Sequence, residues 1–231
     1  MRIYPLGDSA LTVELSTSLS RETNDIIHAL AHLLDEARVR RLVQGVVECV
    51  PAFTTLTVLY NPLEISIAAL TRIIEDLTTE ATEIVLHHEE DAPRVVRIPV
   101  CFAEEFALDA AELALQCGLQ VGEMARVVTE GEYRVAMVGF TPGFPYLLGL
   151  DERLHAPRKA MPRTRVPAGS VAIGGAQLGM YPLETPGGWN IIGRTPLRLF
   201  TPSAEEPCLL RAGDAVQFTS ISREEFTAMM G

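Results

Sequence analysis

The stretch Pro162-Arg163-Thr164-Arg165-Val166-Pro167-Ala168-Gly169-Ser170-Val171-Ala172-Ile173-Gly174-Gly175 decides the fold of the C-terminal half. Short β-favouring runs stand between glycines and prolines, and this texture persists from Thr141 onward. Ser170–Ile173, Trp189–Ile192, Leu197–Phe200 and Ala215–Phe218 read as strands, and Arg211-Ala212-Gly213-Asp214 is a tight-turn signal before the last of them. Many short strands with recurring turn signals predict an antiparallel barrel or sandwich.

Upstream, Arg94–Val100 alternates as a strand and Tyr133–Phe140 reads as another. Between them lies a helix over 109–118, with Asp109 near its start and Gly118 at its C′ position, and then a short helix over 121–128. The polar run His87-His88-Glu89-Glu90-Asp91-Ala92-Pro93 reads as a linker. It divides the chain into a small α/β domain, 1–88, and a mainly β domain, 89–231. In the first, Leu11–Leu15 is a strand. Ser20–Ala37 is a helix with Ile26, Ile27, Leu30, Leu33 and Leu34 on its apolar face and a partial cap from Ser20 and Thr23. Strands over 43–50 and 53–60 flank Pro51, a second helix spans 63–77, and a last strand falls near 83–86. That order predicts a ferredoxin-like or related α+β sandwich.

The chain has 231 residues, 48% of them hydrophobic, which is ample for packed cores. Nineteen basic residues against 30 acidic ones give a net charge of −11, which argues against nucleic acid as a partner. No run is long and apolar enough to span a bilayer, and the N-terminus lacks a signal-peptide hydrophobic region, so a cytoplasmic protein is expected. Cys49, Cys101, Cys117 and Cys208 form no CxxC pair and read as free thiols. His28 and His32 are four apart on a helix but lack the glutamate of an HExxH pair, so no metal site is expected.

The segment from Arg153 to Arg165 holds Arg153, Arg158, Lys159, Arg163 and Arg165 and no acid. Pro157, Pro162 and Pro167 stiffen it. Arginine grips carboxylate or phosphate in two-pronged fashion, so Arg158 and Arg163 are candidate ligands of a small anion, with pairing to a partner chain and a solvated surface loop as the other readings. Arg194, in Gly193-Arg194-Thr195-Pro196, is a further anion candidate. In Gly139-Phe140-Thr141-Pro142-Gly143-Phe144-Pro145-Tyr146, Phe144 and Tyr146 are candidate pocket walls. Backbone N–H groups near Gly169 and Ser170 could face an oxyanion, although Ser170 is not in a GxSxG elbow. Trp189 follows two glycines, which suggests a turn packed beneath its ring, with core packing and a pocket wall as the two readings of the indole. There is no GxGxxG opening a helix and no GxxxxGK[ST] loop, so no catalytic residue is assigned and any ATP is not held by a P-loop.

Taken together, Gly139–Leu147, Pro157-Arg158, Pro162–Val171, Tyr181-Pro182 and Thr185–Thr195 resemble the signature of one family. It comprises the 5-oxoprolinase B subunits, the histidine-kinase inhibitor KipI and the first subunit of allophanate hydrolase. Leu6-Gly7-Asp8, Cys49-Val50-Pro51-Ala52-Phe53 and Ile98-Pro99-Val100-Cys101 extend the resemblance over nearly the whole chain. It implies an N-terminal α/β domain and a cyclophilin-like β-barrel. It implies a subunit of an ATP-dependent cyclic amide hydrolase, inactive alone, that opens 5-oxo-L-proline to L-glutamate with subunit-C-type and subunit-A-type partners. ATP would be bound by this chain or by a partner. The alternatives are a regulator of a sensor kinase and a subunit acting on allophanate or a similar urea derivative. On this resemblance Arg158 and Arg163 hold carboxylate or phosphate, Phe144 and Tyr146 line the pocket, and Gly169–Ser170 offer donors. Two departures stand out. Ala107-Leu108-Asp109-Ala110 replaces the usual Gly-Pro-Asp-Leu, and Val128-Thr129 stands where a histidine often precedes the Tyr-Arg-Val strand.

Overall fold

The computed structural model describes residues 1–87 and 93–230, which fall into two compact units, Met1–Ala92 and Pro93–Gly231. Most of the expected linker lies outside the described residues. The fold is mixed α/β, with a nearly closed seven-stranded sheet in the second unit and a few helices.

The first unit runs β1 (Arg2–Pro5), β2 (Ala10–Glu14), α1 (Arg21–Val39), β3 (Val46–Pro51), β4 (Thr55–Tyr60) and α2 (Ile67–His87). Its antiparallel sheet has the order β1-β2-β4-β3. Alternation puts Leu11, Val13, Leu56 and Val58 into the core against Ile27, Leu30 and Leu34 of α1 and Leu70 and Ile74 of α2. Ser20 caps α1, its hydroxyl accepting from the Thr23 N–H at 3.1 Å. Buried Asn24 donates to the carbonyls of Ala52 and Phe53, fixing the helix to the β3–β4 turn. Pro51 ends β3, an edge strand, where its missing N–H costs no ladder bond.

The strand expected near 83–86 is not formed: those residues continue α2. The β-branched residues there look strand-like, but the buried positions Leu70, Ile74 and Ala81 keep helical spacing. Thr78 and Thr82 turn their hydroxyls back to the carbonyls four residues earlier, so their polar groups are satisfied within the helix. The edge place beside β2 is taken from the other end of the chain, by β1.

The second unit continues with β5 (Val95–Val100), α3 (Ala110–Gln116), α4 (Val121–Glu130), β6 (Tyr133–Val138), β7 (Pro145–Leu148), β8 (Arg163–Val166), β9 (Ser170–Gly174), β10 (Gln177–Met180), β11 (Thr185–Gly187), β12 (Asn190–Arg194), β13 (Ala215–Ser220) and α5 (Arg223–Met230). The large sheet has the order β12-β9-β10-β7-β6-β13-β5, with β5 and β13 parallel and the other pairs antiparallel. Its two outer strands meet: Cys101, just after β5, exchanges both backbone hydrogen bonds with Arg194 at the end of β12, at 2.8 and 3.0 Å. The expected run at 197–200 joins no sheet; only Phe200 bridges, to Cys208. Pro196 and Pro202 on either side lack an N–H of their own, so a ladder could not extend past the run in either direction.

All of β9 is buried. Val171 and Ile173 face the main core, while Ala172 faces a small aromatic cluster with Phe144, Val166, Tyr181, Trp189 and Ile191. The two-stranded ribbon of β8 and β11 contributes Val166 to that cluster, so this part of the sheet is covered on both faces.

Closure leaves no room at Gly193. A Cβ there would stand 2.7 Å from Val100 Cγ1 and 3.1 Å from the Cys101 carbonyl. We expect Gly193→Ala to cost about 1–3 kcal/mol by overpacking the seam. Thermal unfolding would show it as a drop of about 2–4 °C per kcal/mol; an unchanged midpoint would mean that the seam is looser than this geometry.

Candidate functional site

The aromatic cluster floors a cavity of about 310 Å³ lined by Phe140, Phe144, Tyr146, Arg158, Lys159, Pro162, Tyr181, Pro186, Gly187, Gly188 and Trp189. Sequence builds the floor by seating rings on glycines. A Cβ on Gly174 of β9 would lie 2.6 Å from the Trp189 indole, and one on Gly179 of β10 would lie 2.8 Å from the Phe144 ring. The glycine beneath Trp189 is therefore on a neighbouring strand, not in the Gly187-Gly188 turn expected from the sequence. Phe144 meets Tyr181 and Trp189 edge to face, with centroids 5.1 and 5.6 Å apart. Tyr146 packs 4.9 Å from Phe144 and 5.7 Å from Trp189. Such rings are stiff and lose little entropy on meeting a ligand. Burial pushes both phenols upward, at Tyr146 against the pull of the nearby Arg158 charge and at Tyr181 against a backbone hydrogen bond at Trp189.

Asp109 holds the rim together. Its carboxylate is 3% exposed and accepts four hydrogen bonds. Oδ1 takes Lys159 Nζ at 2.8 Å and Arg163 Nη2 at 2.7 Å; Oδ2 takes Arg163 Nη1 and the Ile191 N–H, both at 2.8 Å. The Asp109 N–H donates in turn to the Ile191 carbonyl at 2.8 Å. Asp109 precedes α3 as the sequence suggests, but its side chain makes no cap bond and is spent on the loops instead. Burial alone would raise its pKa; the donors from Arg163, Lys159 and Ile191 outweigh that and hold it below the usual carboxylate range. Lys159 is bonded to both Asp109 and Glu112, which raises its own pKa.

Arg158 has the opposite character. The backbone on either side of it is pinned: Asn190 Nδ2 donates to the Pro157 carbonyl at 2.9 Å and the Lys159 N–H to the Gly188 carbonyl at 2.7 Å. Its guanidinium lies 5.6 Å from the Trp189 ring centroid and pairs with no carboxylate among the described residues. Of the residues singled out from sequence, the cavity brings together Phe144, Tyr146, Arg158 and Trp189. Arg163 lies behind the rim in its two-pronged pair with Asp109. Arg194 donates to the Ala168 carbonyl at 2.8 Å and sits over the Phe226 ring. Gly169 and Ser170 lie outside the lining, their N–H groups donating to the carbonyls of Tyr181 and Pro167. Sequence reasoning did not assign Phe140, Tyr181, Lys159 or Asp109 to the site. For Asp109 the only available signal was an acid facing a basic, proline-stiffened segment some fifty residues later.

The rim backbone is strained at one point. Phe140 has φ +65°, and the Thr141 N–H donates to the Gly139 carbonyl at 2.8 Å across it. This is the rarer γ-turn with positive φ, costing on the order of 1–3 kcal/mol for a side-chain-bearing residue.

The sequence profile described as carboxyltransferase domain, subdomain C and D, matches residues 1–210. The chain is 42% identical to the 5-oxoprolinase B subunit of Bacillus subtilis strain 168, over 98% of this chain and 95% of that one. It is 41% identical to the protein of the same name from Escherichia coli O157:H7, over 94% of each. Among solved structures, TTHA0988 superposes with a TM-score of 0.76 at 37% identity, covering 92% of this chain, which spans 40% of the length of that longer one. Among the described residues no helix is long and apolar enough to cross a membrane. The protein belongs to the family of the carboxyltransferase domain, subdomain C and D, and within it to the group that holds the 5-oxoprolinase B subunits.

Proposed function

We propose that this chain is the B subunit of an ATP-dependent 5-oxoprolinase and that the aromatic cavity receives 5-oxo-L-proline. The supporting observation is identity of 42% along nearly the full length of a protein of that name, together with a cavity whose chemistry suits the substrate. The lactam is a small ring with one carboxylate. Arg158 would take the carboxylate, being the lining cation that has no carboxylate partner among the described residues. Phe144, Tyr181 and Trp189 would enclose the ring, and the Tyr146 hydroxyl would give a polar contact to orient it. In fold terms we read the first unit as a variant of the ferredoxin-like sandwich with its edge strand supplied by β1, and the second as a cyclophilin-like barrel.

The same residues do not fit a nucleoside triphosphate. Several negative charges would face one unpaired guanidinium, since Lys159 is committed to Asp109 and Glu112. We therefore assign the nucleotide to a partner of the subunit-C or subunit-A type. This chain's part is to bind and orient the lactam and to shield it from water. It supplies no nucleophile, and its catalytic activity would be expressed only in the complex.

Two variants separate binding from architecture. In the reconstituted complex, Arg158→Ala should raise the KM for 5-oxoproline by about 10–100-fold, the loss of one charge-assisted contact of about 1.5–3 kcal/mol. Its melting temperature should stay near wild type, because the side chain is exposed. Arg163→Ala should act first on stability, through Asp109. ATP-dependent glutamate formation with an unaltered KM in Arg158→Ala would remove Arg158 from the site.

A second test uses pH. The Asp109 carboxylate is held below its usual value of 3.8, so its stabilising effect is full above that pH and fades as pH falls through the lowered folded value. Asp109→Asn leaves Arg163 without its counter-charge and Lys159 with Glu112 alone, a cost of about 3 kcal/mol or a fall of about 6–12 °C in Tm at neutral pH. The gap between the two proteins should narrow below pH 3.8. A gap that is independent of pH would show that the carboxylate's charge is not what stabilises the rim.

A further inference from the structure

We infer that Phe140 is a specificity-determining residue of the cavity, its ring selecting a flat cyclic substrate over an open chain. This rests on the reading of the cavity given above. Three observations carry it. The first is strain: Phe140 sits at φ +65° in a γ-turn, a conformation that glycine adopts without penalty. The loop is rich in glycine, with Gly139 directly before and Gly143 shortly after, yet a phenylalanine occupies the strained position. A turn that served only to reverse the chain would be cheaper with glycine there, so the ring itself is what the position retains.

The second observation is exposure. Phe140 is 64% exposed, whereas Phe144, Tyr181 and Trp189 of the same lining are buried. Its ring meets Phe144 only edge to face, at 5.6 Å and 81°. The ring thus lines the cavity with a large apolar face that the protein itself does not cover. The third is rigidity: the Gly139 N–H donates to the Phe144 carbonyl and the Phe144 N–H to the Thr141 carbonyl, both at 3.0 Å. These bonds stop the loop from relaxing its strain by swinging Phe140 away. An uncovered aromatic face, held in place at a cavity whose other rings are buried or, at Tyr146, half-buried, suits the plane of a lactam amide, which packs flat against it. The opened product, L-glutamate, keeps the carboxylate for Arg158 but presents no such plane.

The test compares Phe140→Ala, Phe140→Gly and Phe140→Tyr in the reconstituted complex with 5-oxoproline and ATP. Alanine and glycine should raise the KM for 5-oxoproline by about 10-fold, the worth of one aromatic contact, with kcat within about twofold. Inhibition by L-glutamate should be unchanged, and tyrosine should behave as wild type. Because glycine relieves the turn and alanine does not, Phe140→Gly should melt above Phe140→Ala by about 2–4 °C, against the usual order of the two residues. Turnover with unchanged KM in alanine and glycine refutes this inference alone. So does a parallel loss of glutamate inhibition, or a glycine variant that melts below the alanine one. A wild-type complex that makes no glutamate from 5-oxoproline refutes the substrate reading, and this inference with it.

Discussion

One carboxylate organises the cavity rim. Asp109 is nearly inaccessible and accepts from Lys159, Arg163 and the backbone of Ile191. Those partners belong to three separate pieces of chain: the loop that carries Arg158, strand β8, and strand β12. A buried charge of this kind is poor evidence of net stabilisation, because desolvation offsets much of the attraction. What it does secure is position. An apolar residue at 109 could fill the volume but could not dictate which loop lies where. It could not receive a two-pronged arginine, an ammonium and an amide at fixed angles. The cost of taking Asp109 out of water is the cost of holding Arg158 on a fixed backbone.

That arrangement divides the basic segment by function. Seen as sequence, Arg158, Lys159 and Arg163 are equivalent cations on a proline-stiffened stretch. Folded, Arg163 is paired with Asp109 and Lys159 is shared by Asp109 and Glu112, and the third is left over the face of Trp189 with its neighbouring backbone pinned by Asn190 and Gly188. In a chain of net charge −11, a guanidinium with no carboxylate partner among the described residues, set beside apolar rings, fits the proposed small-anion site better than a general one for polyanions. The rings are stiff for a related reason. Trp189 and Phe144 sit on glycines of neighbouring strands, where a methyl group would displace them, so the cavity keeps its shape without a ligand.

Much of this was legible in the sequence, and the failures have definite causes. Helix α1 announced itself by spacing and by Ser20, and the aromatic and arginine candidates at 144, 146 and 158 do line one cavity. The supposed strand at 83–86 failed because isoleucine, valine and leucine favour strands locally, while the burial of Ala81 one turn back committed the segment to the helix. The run at 197–200 failed because a strand is made by its partners, and this one, bracketed by prolines that cannot extend a ladder, finds only the bridge from Phe200 to Cys208. The role of Asp109 was hidden by a correct local reading: an acid at a helix start is ordinarily a cap, and only the fold shows that its side chain is engaged some fifty residues away. The strained turn at Phe140 was equally hidden, since nothing local distinguishes a phenylalanine with positive φ from one in a strand end.

The distribution of charge also bears on the proposed division of labour between this chain and its partner subunits. Opening a lactam requires the amide to be made a better electrophile, and that takes a strong acid, a metal or phosphoryl transfer. The cavity offers rings, one guanidinium, the Lys159 ammonium already bonded to Asp109 and Glu112, and two phenols whose burial makes them weaker acids than in water. Each is suited to holding a ring in a fixed orientation, and none is suited to driving the chemistry at neutral pH. Rigid recognition on this chain and activation on another would explain the rim's construction: a fixed backbone, an exposed Phe140 and an Arg158 with no carboxylate partner among the described residues. Evolution under such a division would press on the precision of the wall rather than on reactive groups within it. The expenditure seen here, a buried ion cluster and a strained γ-turn, lies in the wall.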